Sequence, residues 1–304
     1  MYENQLGLTP QYRIGIDVGG TKIEGIVLDG KGGECARLRY ATPLADGYDA
    51  VVQCIAGVYQ ELAFRIDGVS HTLGIGTPGS ISPSTGLLRN CNATVLNGHS
   101  LYQDLERYIG RAFAIANDAN CFALAESRLG AAAQYDDVLA LVLGTGVGAG
   151  LVTRGQLISG RNGIAGEWGH MVLDPMGPQC YCGRKGCVER YLSGPALEQQ
   201  YAQWTGMSLD VAQIVGRARS GDKAAFTILD RFVDCFAQAV ASAVALLDPQ
   251  VIVIGGGLAS IDELYTTGVH RLHGLVFCDR YETPVLRNQL GNSAGVVGAA
   301  MIGI

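Results

Sequence analysis

One imidazole and three thiols stand close together in this chain: His170, Cys180, Cys182 and Cys187, spaced H-x9-C-x-C-x4-C. Three cysteines this close suit a tetrahedral zinc site with one His and three Cys ligands. Free core thiols or a redox pair are the plainer alternative. Gly183 and Gly186 would let the chain fold around the ion. Four protein ligands leave no open position, so such a metal is structural. Glu167 lies three residues before His170, and Glu189 two after Cys187. Held by one metal loop, these carboxylates would offer fixed acceptors to a polyol. Otherwise they are two solvated surface acids.

A second group of residues could hold an anion. Asp17-Val18-Gly19-Gly20-Thr21-Lys22 follows an apolar run, and Gly144-Thr145-Gly146-Val147-Gly148-Ala149-Gly150 follows another. Glycines let backbone N–H groups approach a phosphate without a Cβ in the way. Asp17 could hold hydrated Mg²⁺, which favours carboxylates and water. Gly255-Gly256-Gly257 marks a third strand end. The run Gly74-Ile75-Gly76-Thr77-Pro78-Gly79 spells a dinucleotide fingerprint, but Pro78 opposes the helix start that fingerprint needs, so a turn is expected. Asn117-Asp118 precedes an Ala-rich helical stretch. Asp118 there is either an N-cap or a base able to take a proton from a hydroxyl.

The elements that must carry these residues follow from the apolar pattern. Two strand–Gly-turn–strand hairpins recur roughly 127 residues apart, which suggests an internal duplication. Helical patterns cover residues 50–63, 117–129, 222–247 and 293–304. Mixed strands and helices give an α/β fold class. With 48% apolar and 16% charged residues, the chain can bury a core and disorder is excluded. No run of about 18 uncharged apolar residues offers a membrane span. The net charge of −6 and the lack of a basic cluster argue against nucleic acid. The first 11 residues lack a signal-peptide core, so a cytoplasmic protein is expected, with its remaining cysteines as thiols.

Taken together, these motifs resemble the ROK family of sugar kinases and repressors. The likeness runs from about Arg13 to the C-terminus and is carried by 17–22, 117–118, 143–150, Gly166-Glu167-Trp168-Gly169-His170 and the C-x-C-G-x-x-G-C-x-E run at 180–189. The resemblance implies an actin-like ATPase fold, hexokinase-type and ribonuclease H-like, with two similar domains around a cleft. The smaller would be residues 1–117, completed by a C-terminal helix at about 288–304. The larger would be 118–287, carrying the zinc loop. It implies ATP with Mg²⁺ as phosphate donor, structural Zn²⁺, and a hexose as acceptor, phosphorylated at its 6-hydroxyl. Asp118 would be the base. Asn92, Asn117, Asp118, Glu167, His170 and Glu189 would contact the sugar. Asp17, Gly19, Gly20, Thr21, Lys22, Gly144, Thr145, Gly146, Gly255, Gly256 and Gly257 would hold the nucleotide. A homodimer is implied too, with no nucleic-acid or membrane partner. Residues 80–98 look most like bacterial fructokinases and mannokinases, although Val95 stands where several relatives have Trp. A kinase of N-acetylglucosamine, or of N-acetylmannosamine or glucose, is the next reading. A repressor would need a DNA-binding domain, and only 12 residues precede Arg13.

Overall fold

The structure is a computed structural model and describes residues 11–91 and 93–303. Asn92 lies outside the described residues. In chain order the strands are β1 (Tyr12–Val18), β2 (Lys22–Asp29), β3 (Glu34–Ala41), β4 (His71–Thr77), β5 (Ser80–Ile81), β6 (Leu88–Arg89), β7 (Ala114–Asn117), β8 (Val138–Leu143), β9 (Val147–Thr153), β10 (Gln156–Leu157), β11 (Val251–Gly255) and β12 (Val285–Arg287). The helices are α1 (Tyr48–Arg65), α2 (Leu101–Ile109), α3 (Asp118–Leu129), α4 (Glu189–Leu192), α5 (Gly194–Thr205), α6 (Val211–Arg219), α7 (Lys223–Leu247), α8 (Thr267–His273) and α9 (Ala294–Ile302).

The chain divides into two units: 1–125 with 159–164 and 292–304, and 126–158 with 165–291. The boundaries differ from those expected from sequence. The first falls inside α3, after Ala125 rather than before Asp118, and the C-terminal return begins at Asn292 rather than 288. Packing explains the first shift. A Cβ on Gly298 of α9 would lie 1.8 Å from the Cys121 carbonyl, so the opening turns of α3 sit directly on α9.

The first unit holds a five-stranded sheet in the order β3-β2-β1-β4-β7. β1 pairs antiparallel with β2 and parallel with β4. Ile14, Ile16, Ile23, Leu73 and Ile75 form its core with Val51, Ile55 and Leu62 of α1. On the other face α9 lies almost on the backbone. A Cβ at Gly15 would come within 2.4 Å of Ala300 N, and one at Gly74 within 2.0 Å of Ala299 O.

The second unit repeats this plan. Its sheet runs β10-β9-β8-β11-β12, with β8 antiparallel to β9 and parallel to β11. That is the duplication expected from the two hairpins. The long α7 packs its apolar side into this core, Phe232, Phe236 and Val240 included. Its start is set by Asp222, whose carboxylate accepts from the N–H groups of Ala224 and Ala225 at 2.9 and 3.1 Å. It stops at Asp248, held at a left-handed φ of 39° just before Pro249. No helix among the described residues is long and apolar enough to cross a membrane.

Candidate active site

In the first unit, the β1–β2 turn is closed by Gly19 N–H donating to Lys22 O at 2.8 Å. Thr42 clamps it from outside, its hydroxyl donating to Gly19 O at 2.7 Å. The turn needs no glycine at Gly20. That residue has no left-handed φ, and a Cβ there would meet nothing within 4 Å. The space lies open to an incoming group.

Asp17 points from β1 onto the face covered by α9. A Cβ at Gly295 would lie 2.8 Å from its Oδ2, and one at Gly76 3.3 Å from its Oδ1. These two glycines make room for the carboxyl. Burial, then the nearby Asp118 carboxylate, push the Asp17 pKa up to about 7, although Lys22 works the other way. Asp17 and Asp118, 101 positions apart in sequence, are therefore electrostatic neighbours. Beside them Glu24 is buried, 1% exposed, among Lys22, Arg37 and Arg39. Burial alone would raise its pKa, but its hydrogen bonds to these three cations hold it at about 2. Sequence reasoning missed Glu24 because its arginines come from the adjacent strand.

The pair Asn117-Asp118 divides its work. Asn117 Oδ1 accepts from Ala119 N–H at 2.9 Å, and its Nδ2 donates to Gly79 O at 3.1 Å. Asn117 thus caps α3 and ties it to the turn after β4. Asp118 also accepts from Ala119 N–H, at 2.7 Å. Gly74–Gly79 is a strand running into a turn, as expected, and Gly79 needs its φ of 96° there.

In the second unit, the β8–β9 turn is closed by Gly144 N–H donating to Gly146 O at 3.0 Å. Thr145 is exposed at its tip. A Cβ on Gly144 would meet only Gly257 N, at 3.8 Å, so this turn and the end of β11 come together. Gly257 has open space, whereas Gly256 is forced by a φ of 83° and a Cβ position 2.3 Å from Leu143 O.

The His–Cys cluster assembles as its spacing suggested. The ligand atoms of His170, Cys180, Cys182 and Cys187 all lie within 4.8 Å of one another. Cys182 Sγ and Cys187 Sγ are 3.5 Å apart, and Cys180 Sγ is 3.7 Å from His170 Nδ1. Tetrahedral zinc with Zn–S near 2.3 Å needs sulfur–sulfur separations of about 3.8 Å, so the donor set and its spacing fit that ion. His170 turns Nδ1 toward the sulfurs, and its Nε2 is 3.0 Å from the Tyr181 hydroxyl. Tyr181 is 76% exposed and stacks edge-on against His170. It went unnoticed in the sequence because a tyrosine between two cysteine ligands has no signal of its own.

A short turn at Glu167–His170 presents the flanking acid. Trp168 anchors it, 5% exposed, with Nε1 donating to Ala239 O of α7 at 3.3 Å. Gly169 presses on β9, where a Cβ would be 2.0 Å from Val147 O. With Trp168 and Gly169 buried, Glu167 and His170 remain half-buried beside the cluster. Glu189 opens α4, and its Oε2 accepts from Val147 N–H at 3.0 Å.

A family profile described as ROK family matches residues 13–303. An N-acetyl-D-glucosamine kinase of Photobacterium profundum is 37% identical over 300 residues, covering 95% of this chain and 98% of the relative. One of Pectobacterium atrosepticum is 36% identical over 298 residues, covering 95% and 97%. Among solved structures, a ROK hexokinase from Thermus thermophilus superposes with a TM-score of 0.87 at 32% identity, covering 96% of this chain and 97% of that one. A ROK family glucokinase from Streptomyces griseus, in complex with glucose and AMPPNP, gives 0.76 at 30%, covering 96% and 99%.

Proposed function

The chain belongs to the ROK family, and from that premise we propose that it is an ATP-dependent kinase of N-acetylglucosamine, phosphorylating the 6-hydroxyl. The observation that carries this reading is the full-length similarity to N-acetyl-D-glucosamine kinases, at 36–37% identity. It favours the amino sugar over the fructose and mannose suggested by residues 80–98.

The site chemistry is consistent with the reading. Asp118 accepts the proton of the attacking hydroxyl. Asp17, beside Lys22, is the carboxylate that would hold Mg²⁺ through water. Gly19, Gly20 and Thr21 form one phosphate hairpin; Gly144, Thr145 and Gly146, with Gly255 to Gly257, form the other. Open space at Gly20, Gly144 and Gly257 supports this, because the fold does not demand glycine at those positions. Glu167, His170 through Nε2, and Glu189 hold sugar hydroxyls. Asn117 aligns α3 and offers its remaining amide hydrogen, while Asn92 enters by resemblance alone, as do the homodimer and the cytoplasmic location. His170 through Nδ1, Cys180, Cys182 and Cys187 would hold Zn²⁺, which supplies rigidity to the sugar-binding loop. Phosphoryl transfer asks mainly for such positioning and charge stabilisation.

A coupled ADP-release assay against N-acetylglucosamine, N-acetylmannosamine, glucose, mannose and fructose tests the proposal. The highest kcat/KM is expected with N-acetylglucosamine. A higher value with fructose or mannose would overturn the sugar assignment, and no hexose-dependent ADP release would overturn the kinase.

A further inference from the structure

The end of the metal loop is fastened to the glycine hairpin at several points. Glu189 Oε2 accepts from Val147 N–H at 3.0 Å. Five residues on, Gly194 N–H donates to Gly144 O at 2.8 Å. On the far side of the hairpin, Ala149 N–H donates to Gly166 O at 3.0 Å. Glu189 itself is held firmly, because Tyr191 and Leu192 of its short helix are buried in the core. Its contact reaches the first residue of β9, directly after the turn. Gly146 explains how the carboxylate fits. Its φ is not left-handed, so its backbone would accept alanine. Yet a Cβ there would stand 3.0 Å from Glu189 Oε2 and meet nothing else closer than that residue's Cδ, at 3.9 Å. Glycine at 146 therefore leaves room for this carboxylate.

We infer that Glu189 is a positioning residue for the nucleotide-phosphate hairpin as well as a sugar contact, so that one carboxylate couples the two substrates. The inference rests on the kinase reading above. One oxygen fixes Val147 N–H and hence the 144–146 turn, while the other serves the sugar. Coupling through a shared group is reciprocal: whatever displaces the carboxylate on one side is felt on the other.

The experiment measures AMPPNP–Mg²⁺ affinity by calorimetry with no sugar present, together with KM for sugar and for ATP. Glu189→Ala should weaken AMPPNP about tenfold, the order expected when one hydrogen bond to a charged group is lost. A carboxylate that served only the sugar would leave sugar-free nucleotide affinity unchanged, and that result overturns the inference. Gly146→Ala and Gly144→Ala give an independent test should Glu189→Ala fail to fold. Both place a methyl on the phosphate hairpin, but only the one at 146 meets Glu189. Gly146→Ala should raise KM for sugar severalfold as well as for ATP, and Gly144→Ala should raise KM for ATP alone. Equal sugar KM in these two variants overturns the inference. Failure of the kinase reading would look different: the unaltered protein would neither bind AMPPNP nor release ADP with any hexose.

Discussion

Asp17 is held in its charged form at a cost, and replacing it should make the protein more stable while destroying activity. Its pKa rises from the usual 3.8 to about 7 because it is buried beside the Asp118 carboxylate. A carboxyl raised in this way keeps its proton in the native state between those two values, while the unfolded chain has already lost it. The native state is therefore penalised progressively as pH climbs from 4 to 7, and fully above 7. At about 1.36 kcal/mol per pKa unit, the full penalty is about 4 kcal/mol. Relaxation of the site and water penetration reduce it, so Asp17→Asn should gain about 2–4 kcal/mol at pH 8. The same substitution should gain only about a quarter as much at pH 4.5, just above the unfolded-state pKa of 3.8, where the penalty has only begun to build. Urea unfolding of both proteins in Mg²⁺-free buffer across pH 4.5–8 measures this directly. A gain that is absent at pH 8, or equal at both ends of the range, would refute the electrostatic account of this site.

Asp118→Asn should lower kcat by about 10²–10⁴, as expected for a lost general base, with sugar and AMPPNP affinities changed only a few fold by calorimetry. Because Asp118 helps raise the Asp17 pKa, the same variant should also move the pH midpoint of the Asp17 effect downward. Cys182→Ala should lose the metal by elemental analysis, raise sugar KM by about 10–100-fold and lower the unfolding temperature; unchanged sugar kinetics in metal-free protein would separate the metal from the sugar site. His71 is buried, with Nδ1 2.6 Å from Val69 O and Nε2 2.6 Å from Arg111 Nη1. Arginine can only donate, so Nε2 must accept and the ring is neutral. Burial, with help from the Arg111 charge, lowers its pKa. The unfolded state then binds the extra proton first, and stability should fall as pH drops below about 6.5, a loss that His71→Gln should remove.

What could be read from the chain depended on distance along it. The His–Cys cluster lies within 18 residues, so spacing alone could point to it. Asp17 and Asp118 each stood out, but their mutual effect arises only when β1 and the start of α3 come together. The 117–118 pair resisted for a different reason, since an N-cap and a catalytic base draw on the same residue types. In the structure both side chains accept from the Ala119 N–H, so capping is shared and does not by itself separate the two roles. Glu126 shows the limit most plainly. Its position in an Ala-rich helix reads as a surface acid, yet it is fully buried and accepts from Ala131, Gln289 and Leu290 N–H groups. Its partners lie up to 164 positions away, where no local pattern could point to them.

The duplication also explains why the second unit needs an inserted loop. In the first hairpin the strand positions beside the turn carry the charge, with Asp17 opposite Glu24. In the second, the matching places pair Val142 with Gly148 and Leu143 with Val147, and no carboxylate can come from the strands themselves. Acidic groups for this unit must be brought in from elsewhere. The 166–189 segment brings Glu167 and Glu189, and Glu189 lands on Val147 N–H beside the turn. Within this segment regular structure is sparse: a short turn at Glu167–His170, two isolated antiparallel bridges, Val172 with Cys187 and Gln179 with Lys185, and the start of α4. Its backbone is instead pinned at Gly166 and Gly169 against β9, and its four His–Cys ligands gather at one point. On this view the His–Cys cluster compensates for what the duplicated strands lack. Loosening the cluster should therefore disturb Glu189 and the glycine turn it holds before it disturbs the sheet.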